Sequence, residues 1–170
     1  GKILYGMMCY ENGGTVDDLL VYKMGENDFF IVINAANIDK DWAWMTEHAK
    51  GYDIDIQNRS DFYGQLAVQG PDSEKVVEEV LGLKCAELTF YTVKTICLKG
   101  DCSCNDDSCT VIVSRTGYTG EDGFEIYGTH EYIRECWDKL IASGRCKPCG
   151  LGCRDTLRFE VGLPLYGRSE

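Results

Sequence analysis

The sequence predicts an α+β protein of antiparallel sheets with helices packed on one side. Three observations predict it: strand-like runs outnumber helical ones, they follow one another as hairpins instead of alternating strictly with helices, and an apolar content of 44% with only three prolines marks a globular chain. "KILYGMMCY" reads as a strand, "ENGG" as a turn, "TVDDLLVYK" as the returning strand, and "FFIVIN" after "GEND" as a third, which makes a meander. Asn37 stands where a helix cap belongs, and Ile38, Trp42, Met45 and Ala49 recur behind it at helical spacing until Gly51 closes the segment. "YDIDIQN" alternates as an edge strand would, and "FYGQLAVQG" reads as a further strand. "PDSEKVVEEVLG" predicts a short helix with Val76, Val77, Val80 and Leu81 inward. "LTFYTVKTICL" and "CTVIVSRT" form a strand pair joined by a cysteine-bearing loop, and "GFEIYG" is the last strand. A helix from Thr129 turns Ile133, Trp137, Leu140 and Ile141 inward, and a final helix starts near Gly150 with Leu157 and Val161 on its buried side.

At 170 residues the prior is one domain or two small subdomains. Seventeen basic residues against 28 acidic ones give a net charge of −11, which disfavours nucleic acid and anionic lipid as partners. No apolar run approaches the roughly 18 residues of a spanning helix, so a soluble chain is expected. The ten cysteines are scattered over strands, helices and loops, and most are expected to be small buried hydrophobes of a reducing cytoplasm. Two groups have thiolate spacing for zinc or redox chemistry, Cys102, Cys104 and Cys109 in "GDCSCNDDSC" and Cys146, Cys149 and Cys153 in "CKPCGLGC". Neither His48 nor His130 lies near them in sequence, so unliganded thiols and no metal are expected.

Two stretches carry more chemistry than their structure needs. On the second strand Val16, Asp18, Leu20 and Tyr22 share one face and Asp17, Leu19 and Val21 the other, so one aspartate lies beside apolar neighbours whichever face is core. The alternatives are two solvated aspartates at a strand end and a carboxylate placed for a purpose. In "SRTGYTGEDGFEIYG", Gly117, Gly120 and Gly123 permit a tight path, and Glu125 and Tyr127 fall opposite Phe124 and Ile126. A carboxylate and a ring on one face suit a flat heterocycle with adjacent N–H donors, and equally a solvated hairpin. Arg154 and Arg158 lie one turn apart on the last helix, with Asp155 three residues from Arg158.

"NGGTVDDLLVY", "VINAANIDKDWAW", "LAVQGP", "SRTGYTGEDGFEI" and "PCGLGCRDTLRFEVGLPLYG" together resemble the aminomethyltransferase family of the glycine cleavage system, the T-proteins, in the family's order and over almost the whole chain. The resemblance implies an enzyme that moves a methylene carbon from the aminomethyl group on the dihydrolipoyl arm of the H-protein to tetrahydrofolate, with release of ammonia. It implies that Asp18 is the catalytic aspartate beside the folate nitrogens. Tyr5, Leu20, Tyr22 and Asn34 match folate-pocket positions, Tyr118 and Glu125 match the ring and carboxylate that hold the pterin, and Arg154 matches a substrate-contacting arginine. By the same resemblance the glycines shape a turn around the pterin, and Glu121 and Asp122 are solvated. It further implies a partial folate-binding domain over residues 1–170, as one domain or two intertwined subdomains, with the family's amino-terminal part and carboxy-terminal barrel missing. Three classes of function compete: part of a transferase, alone or with a complementing chain that carries the remaining parts; a non-catalytic folate-binding or relic domain, as an oligomer that covers its exposed edges; and a cysteine-based metal or redox protein. A related folate-dependent demethylase is the alternative donor chemistry.

Overall fold

The computed structural model describes residues 1–100 and 107–166 and divides into two compact units, Gly1–Asp61 and Phe62–Glu170. The units are consecutive in the chain. Cys102 and Cys104 lie outside the described residues.

Unit 1 is the expected meander. Strands β1 (Ile3–Cys9), β2 (Thr15–Lys23) and β3 (Phe29–Ile33) pair antiparallel in the order β1-β2-β3. Gly13, at φ +86°, permits the first reversal, where the Tyr10 and Gly14 backbones bond at 2.7 Å. The register sets Met7 opposite Asp18 and Tyr5 opposite Leu20, which puts all four on one face. A 3-10 turn over Ala35–Asn37 leads into helix α1 (Ile38–His48). Asn37 occupies the cap position, but its side chain does not cap the helix. The buried residue of α1 is Asp41, whereas the apolar stripe of Ile38, Trp42, Met45 and Ala49 is only partly covered.

Residues 52–58 form no strand. Period-two alternation becomes a strand only where another strand supplies hydrogen bonds, and no described strand pairs with this segment. Its Ile54 side chain is left exposed.

Unit 2 holds a four-stranded antiparallel sheet in the order β4-β7-β6-β5, from β4 (Tyr63–Gln69), β5 (Val93–Cys97), β6 (Thr110–Ser114) and β7 (Gly123–Thr129). β5 starts later than expected because Phe90 and Tyr91 form a turn, with Tyr91 at φ +60°, and Thr92 makes only an isolated bridge. Helices α2 (Ser73–Leu81) and α3 (His130–Ala142) cover one face of this sheet, where Val68, Phe124, Ile126, Val111 and Val113 pack with Val76, Val77 and Leu140. Gly82 ends α2 in the left-handed region at φ +71°, and the Thr129 hydroxyl caps α3 by accepting from the Tyr132 N–H.

Two expected helix faces are corrected. The covered stripe of α3 is Tyr132, Ile133, Cys136 and Leu140, and one position further round Trp137 and Ile141 are exposed. Helix α4 (Leu151–Glu160) has Gly150 at its cap and buries no residue; Leu157 is partly covered, and Val161, just beyond it, is half exposed. Among the described residues, no helix is long and apolar enough to cross a membrane.

The cysteines divide by environment. Cys85, Cys109 and Cys136 are buried free thiols, Cys9, Cys149 and Cys153 are exposed, and Cys146 is intermediate. Cys97 is disulfide-bonded and so departs from the expectation of unliganded thiols. Burial pushes the Cys85 thiol up to about 12, which keeps it an inert hydrophobe. No group of three potential metal ligands occurs among the described residues.

Candidate functional site

In unit 1 the two adjacent aspartates of β2 have different fates. Asp17 is fully enclosed: Oδ1 accepts from the Asp18 backbone N–H at 2.9 Å and from Asn34 Nδ2 at 2.8 Å, while Oδ2 accepts from Asn37 Nδ2 at 2.7 Å. The solvated alternative therefore fails for Asp17, and the Asn37 amide serves this carboxylate instead of the helix end. Asp18 points to the other side of the strand and is only partly buried. Its Oδ2 accepts from the Tyr5 hydroxyl at 2.7 Å and its Oδ1 from Asn34 Nδ2 at 2.6 Å. Burial tends to raise the Asp17 carboxyl, but hydrogen bonds from Asp41, Asn37, Asn34 and the Asp18 N–H outweigh it and lower it.

Tyr5, Asp18 and Asn34 thus come together, with Leu20 partly exposed two residues along the same strand face. Tyr22, two further along, is fully buried and edge-on to Phe30 at 5.8 Å between ring centroids, so it presents no open surface for a ligand.

In unit 2 Glu125 lies on the sheet face opposite the helices. Its Oε2 accepts from the Thr116 hydroxyl at 2.5 Å and its Oε1 from Gln65 Nε2 at 2.7 Å. Gln65 also donates to the Tyr127 hydroxyl at 3.3 Å, as expected if Glu125 and Tyr127 share a face. Ser114, behind them, bonds Thr116 at 2.6 Å. Burial raises the Glu125 carboxyl above its ordinary range, partly offset by Thr116, Gln65, the Arg154 charge and Tyr127. The Arg154 guanidinium also lies over the Tyr118 ring at 4.5 Å, and the Tyr118 hydroxyl donates to the Pro164 carbonyl. Tyr118, Glu125 and Arg154 therefore form one cluster, with one ring face of Tyr118 already covered.

The glycines of the turn have an internal reason. A Cβ on Gly117 or on Gly123 would run into the side-chain amide of Gln69. That amide threads between the two glycines, donating to the Thr116 carbonyl at 3.1 Å and accepting from the Thr119 hydroxyl at 3.1 Å. Asp122 is not free in solvent: Arg115 grips both its oxygens at 2.8 and 2.6 Å and holds Glu74 at 2.7 Å. Glu121 is exposed, as expected.

Each carboxylate can accept about four hydrogen bonds, and the contacts above leave acceptor capacity on both Asp18 and Glu125. A partly exposed, pre-oriented carboxylate of this kind suits a ligand with N–H donors or a developing positive charge. Fold and carboxylates together define a class: antiparallel α+β proteins that hold partly exposed, hydrogen-bonded carboxylates on their sheets. Over residues 1–169 the chain matches the GCVT N-terminal domain, and it belongs to that family.

Its relatives agree. It is 50% identical over 171 residues to an aminomethyltransferase of Bacillus mycoides (strain KBAB4), covering 99% of this chain and 44% of the relative. To an aminomethyltransferase of Alkaliphilus oremlandii (strain OhILAs) it is 49% identical over 169 residues, covering 98% and 44%. The crystal structure of glycine cleavage system aminomethyltransferase T from Bartonella henselae matches with a TM-score of 0.81 at 33% identity, over 97% of this chain and 42% of that one. The chain thus spans less than half the length of these relatives.

Sequence reasoning missed Asp41, Gln65, Thr116 and Gln69, and it gave Asn37 a helix cap in place of its bond to Asp17. The pair of asparagines in "NAAN" was a readable signal beside "DD", whereas the partners of Glu125 depend on strand register that no local pattern reveals.

Proposed function

We propose that this chain is the folate-binding part of a glycine cleavage aminomethyltransferase, acting in the cytoplasm with the lipoyl-bearing H-protein as partner. The carrying observation is Asp18, a partly exposed carboxylate fixed from two sides by Tyr5 and Asn34. In the reaction, the S–CH2–NH2 carbon of the carrier becomes the methylene between two folate nitrogens. The two folate N–H protons are released as ammonia forms and the carrier sulfur becomes a thiol, so atoms balance. Asp18 favours the positive charge that develops on nitrogen as the carbon is transferred, because its geometry is set before the ligand arrives. Glu125 accepts the pterin's amino and ring N–H groups, with Tyr118 and Arg154 beside it. Within unit 1, Tyr5 and Asn34 hold Asp18, and Leu20 follows it on the same strand face. Tyr22 supports that strand from within.

The test is calorimetric titration of the chain with tetrahydrofolate, followed by a turnover assay with aminomethylated H-protein. Saturable binding is expected, with Asp18→Asn lowering turnover on the order of a hundredfold while changing affinity little. Binding without turnover would support a folate-binding domain instead. Absence of binding would remove the proposal.

A further inference from the structure

The carboxyl group of Asp41 has no part in the site described so far. It lies in the first turn of α1, is 0% exposed, and among the described residues no hydrogen-bond donor meets either of its oxygens. An ionised carboxylate in that position is costly, since burial removes water without supplying donors. The charged or titratable groups facing it are Asp17 from β2 and Lys40 of its own helix. Lys40 Nζ stands 3.7 Å from Oδ1, too far for a hydrogen bond, and donates to the Val16 carbonyl instead.

Lys40 Nζ, between the Val16 carbonyl and Asp41, brings Asp41 to the strand position next to Asp17; both carboxyl groups are 0% exposed, and each acts on the other through a side-chain hydrogen bond. Two enclosed carboxyl groups in contact do not both ionise; one keeps a proton, and that proton becomes the bond between them. Which one keeps it follows from the donors. Asp17 has three N–H donors, from Asn34, Asn37 and the Asp18 backbone, and so holds the charge. Asp41 has none, and so holds the proton.

We infer that Asp41 is a positioning residue for Asp18: it donates its proton to Asp17, and Asp17, completed on that side, fixes the Asn34 amide that also holds Asp18. The functional consequence rests on the reading of Asp18 as the reactive carboxylate, whereas the shared proton rests on unit 1 geometry alone. The same environment raises the Asp41 carboxyl from 3.8 to about 6, through burial first, then the Asp17 bond and charge, against the opposing pull of Lys40.

Carboxyl carbon NMR of the wild-type chain tests the pair without any variant. Asp41 is expected to titrate with a midpoint near 6, and the Asn34 side-chain nitrogen and the Asp18 carboxyl are expected to shift with that same midpoint. A midpoint at or below 3.8, or Asn34 and Asp18 signals that ignore the Asp41 step, would overturn the inference. Variants give the second measurement. Asp41→Asn keeps a donor toward Asp17 and should preserve slow exchange of the Asn34 side-chain hydrogens, while Asp41→Ala should speed it roughly tenfold. Equal exchange in the two variants also counts against it. Missing tetrahydrofolate binding in the wild type, with the NMR signature intact, would strike the proposed function alone and still support the proton-sharing pair.

Discussion

Asn34 Nδ2 lies 2.6 Å from Asp18 Oδ1 while also donating to Asp17 Oδ1 at 2.8 Å, so one amide ties a buried carboxylate to an accessible one. Orientation at the surface is thereby set by a group the solvent never reaches. Asn34→Ala should cost about 1–3 kcal/mol of unit 1 stability, because a buried charge loses a donor. Urea unfolding followed by Trp42 and Trp44 fluorescence measures it. The same variant should weaken any effect of Asp18→Asn, since Asp18 has already lost its alignment.

The buried pair also makes unit 1 sensitive to pH. Asp41 has a higher pKa folded, about 6, than its ordinary 3.8, so the folded state binds the extra proton between those values. Its contribution is fully present below 3.8 and is lost as pH rises through about 6. Unfolding midpoints measured from pH 4 upward should therefore show a falling component in wild type that Asp41→Asn removes.

For Glu125 the sign concerns binding. A ligand that donates N–H groups needs the ionised carboxylate, and burial raises this group's pKa above the ordinary carboxylate range. Tetrahydrofolate affinity should fall as pH drops through that raised value. Glu125→Gln should bind more weakly, by about tenfold or more, and lose this dependence in calorimetry at stepped pH.

The turn at 117–123 depends on Gln69. Gly117→Ala should destabilise unit 2 by about 1–3 kcal/mol, because the new methyl occupies the place of the Gln69 amide. Adding Gln69→Ala should recover part of that loss, and a double-mutant cycle reads the coupling. Additive losses would mean that the amide is not what the glycines accommodate.

Arg115 joins the turn to α2 through Asp122 and Glu74, both partly buried pairs. Arg115→Lys keeps the charge but cannot grip both Asp122 oxygens at once, and should lower thermal stability by about 1 kcal/mol. Arg115→Ala should cost more, since the Leu88 carbonyl also loses its donor at 2.9 Å.

Local pattern determined a good part of this protein. Alternation and turn residues mark β2 over Thr15–Lys23, the spacing of valines and the closing Gly82 mark α2, and the resemblance picks out Asp18 and Glu125 within their strands. Such features are set by neighbours a few residues away, so they survive in one dimension. Only the tertiary structure decided that residues 52–58 lack a partner strand, that Trp137 faces outward, that Tyr22 is enclosed, and that the glycines of the turn admit Gln69. It also decided that an aspartate, not an apolar residue, is the buried member of α1. A carboxyl group enters a core only when groups distant in sequence supply its hydrogen bonds or its proton, and those distances exist only once the chain has folded.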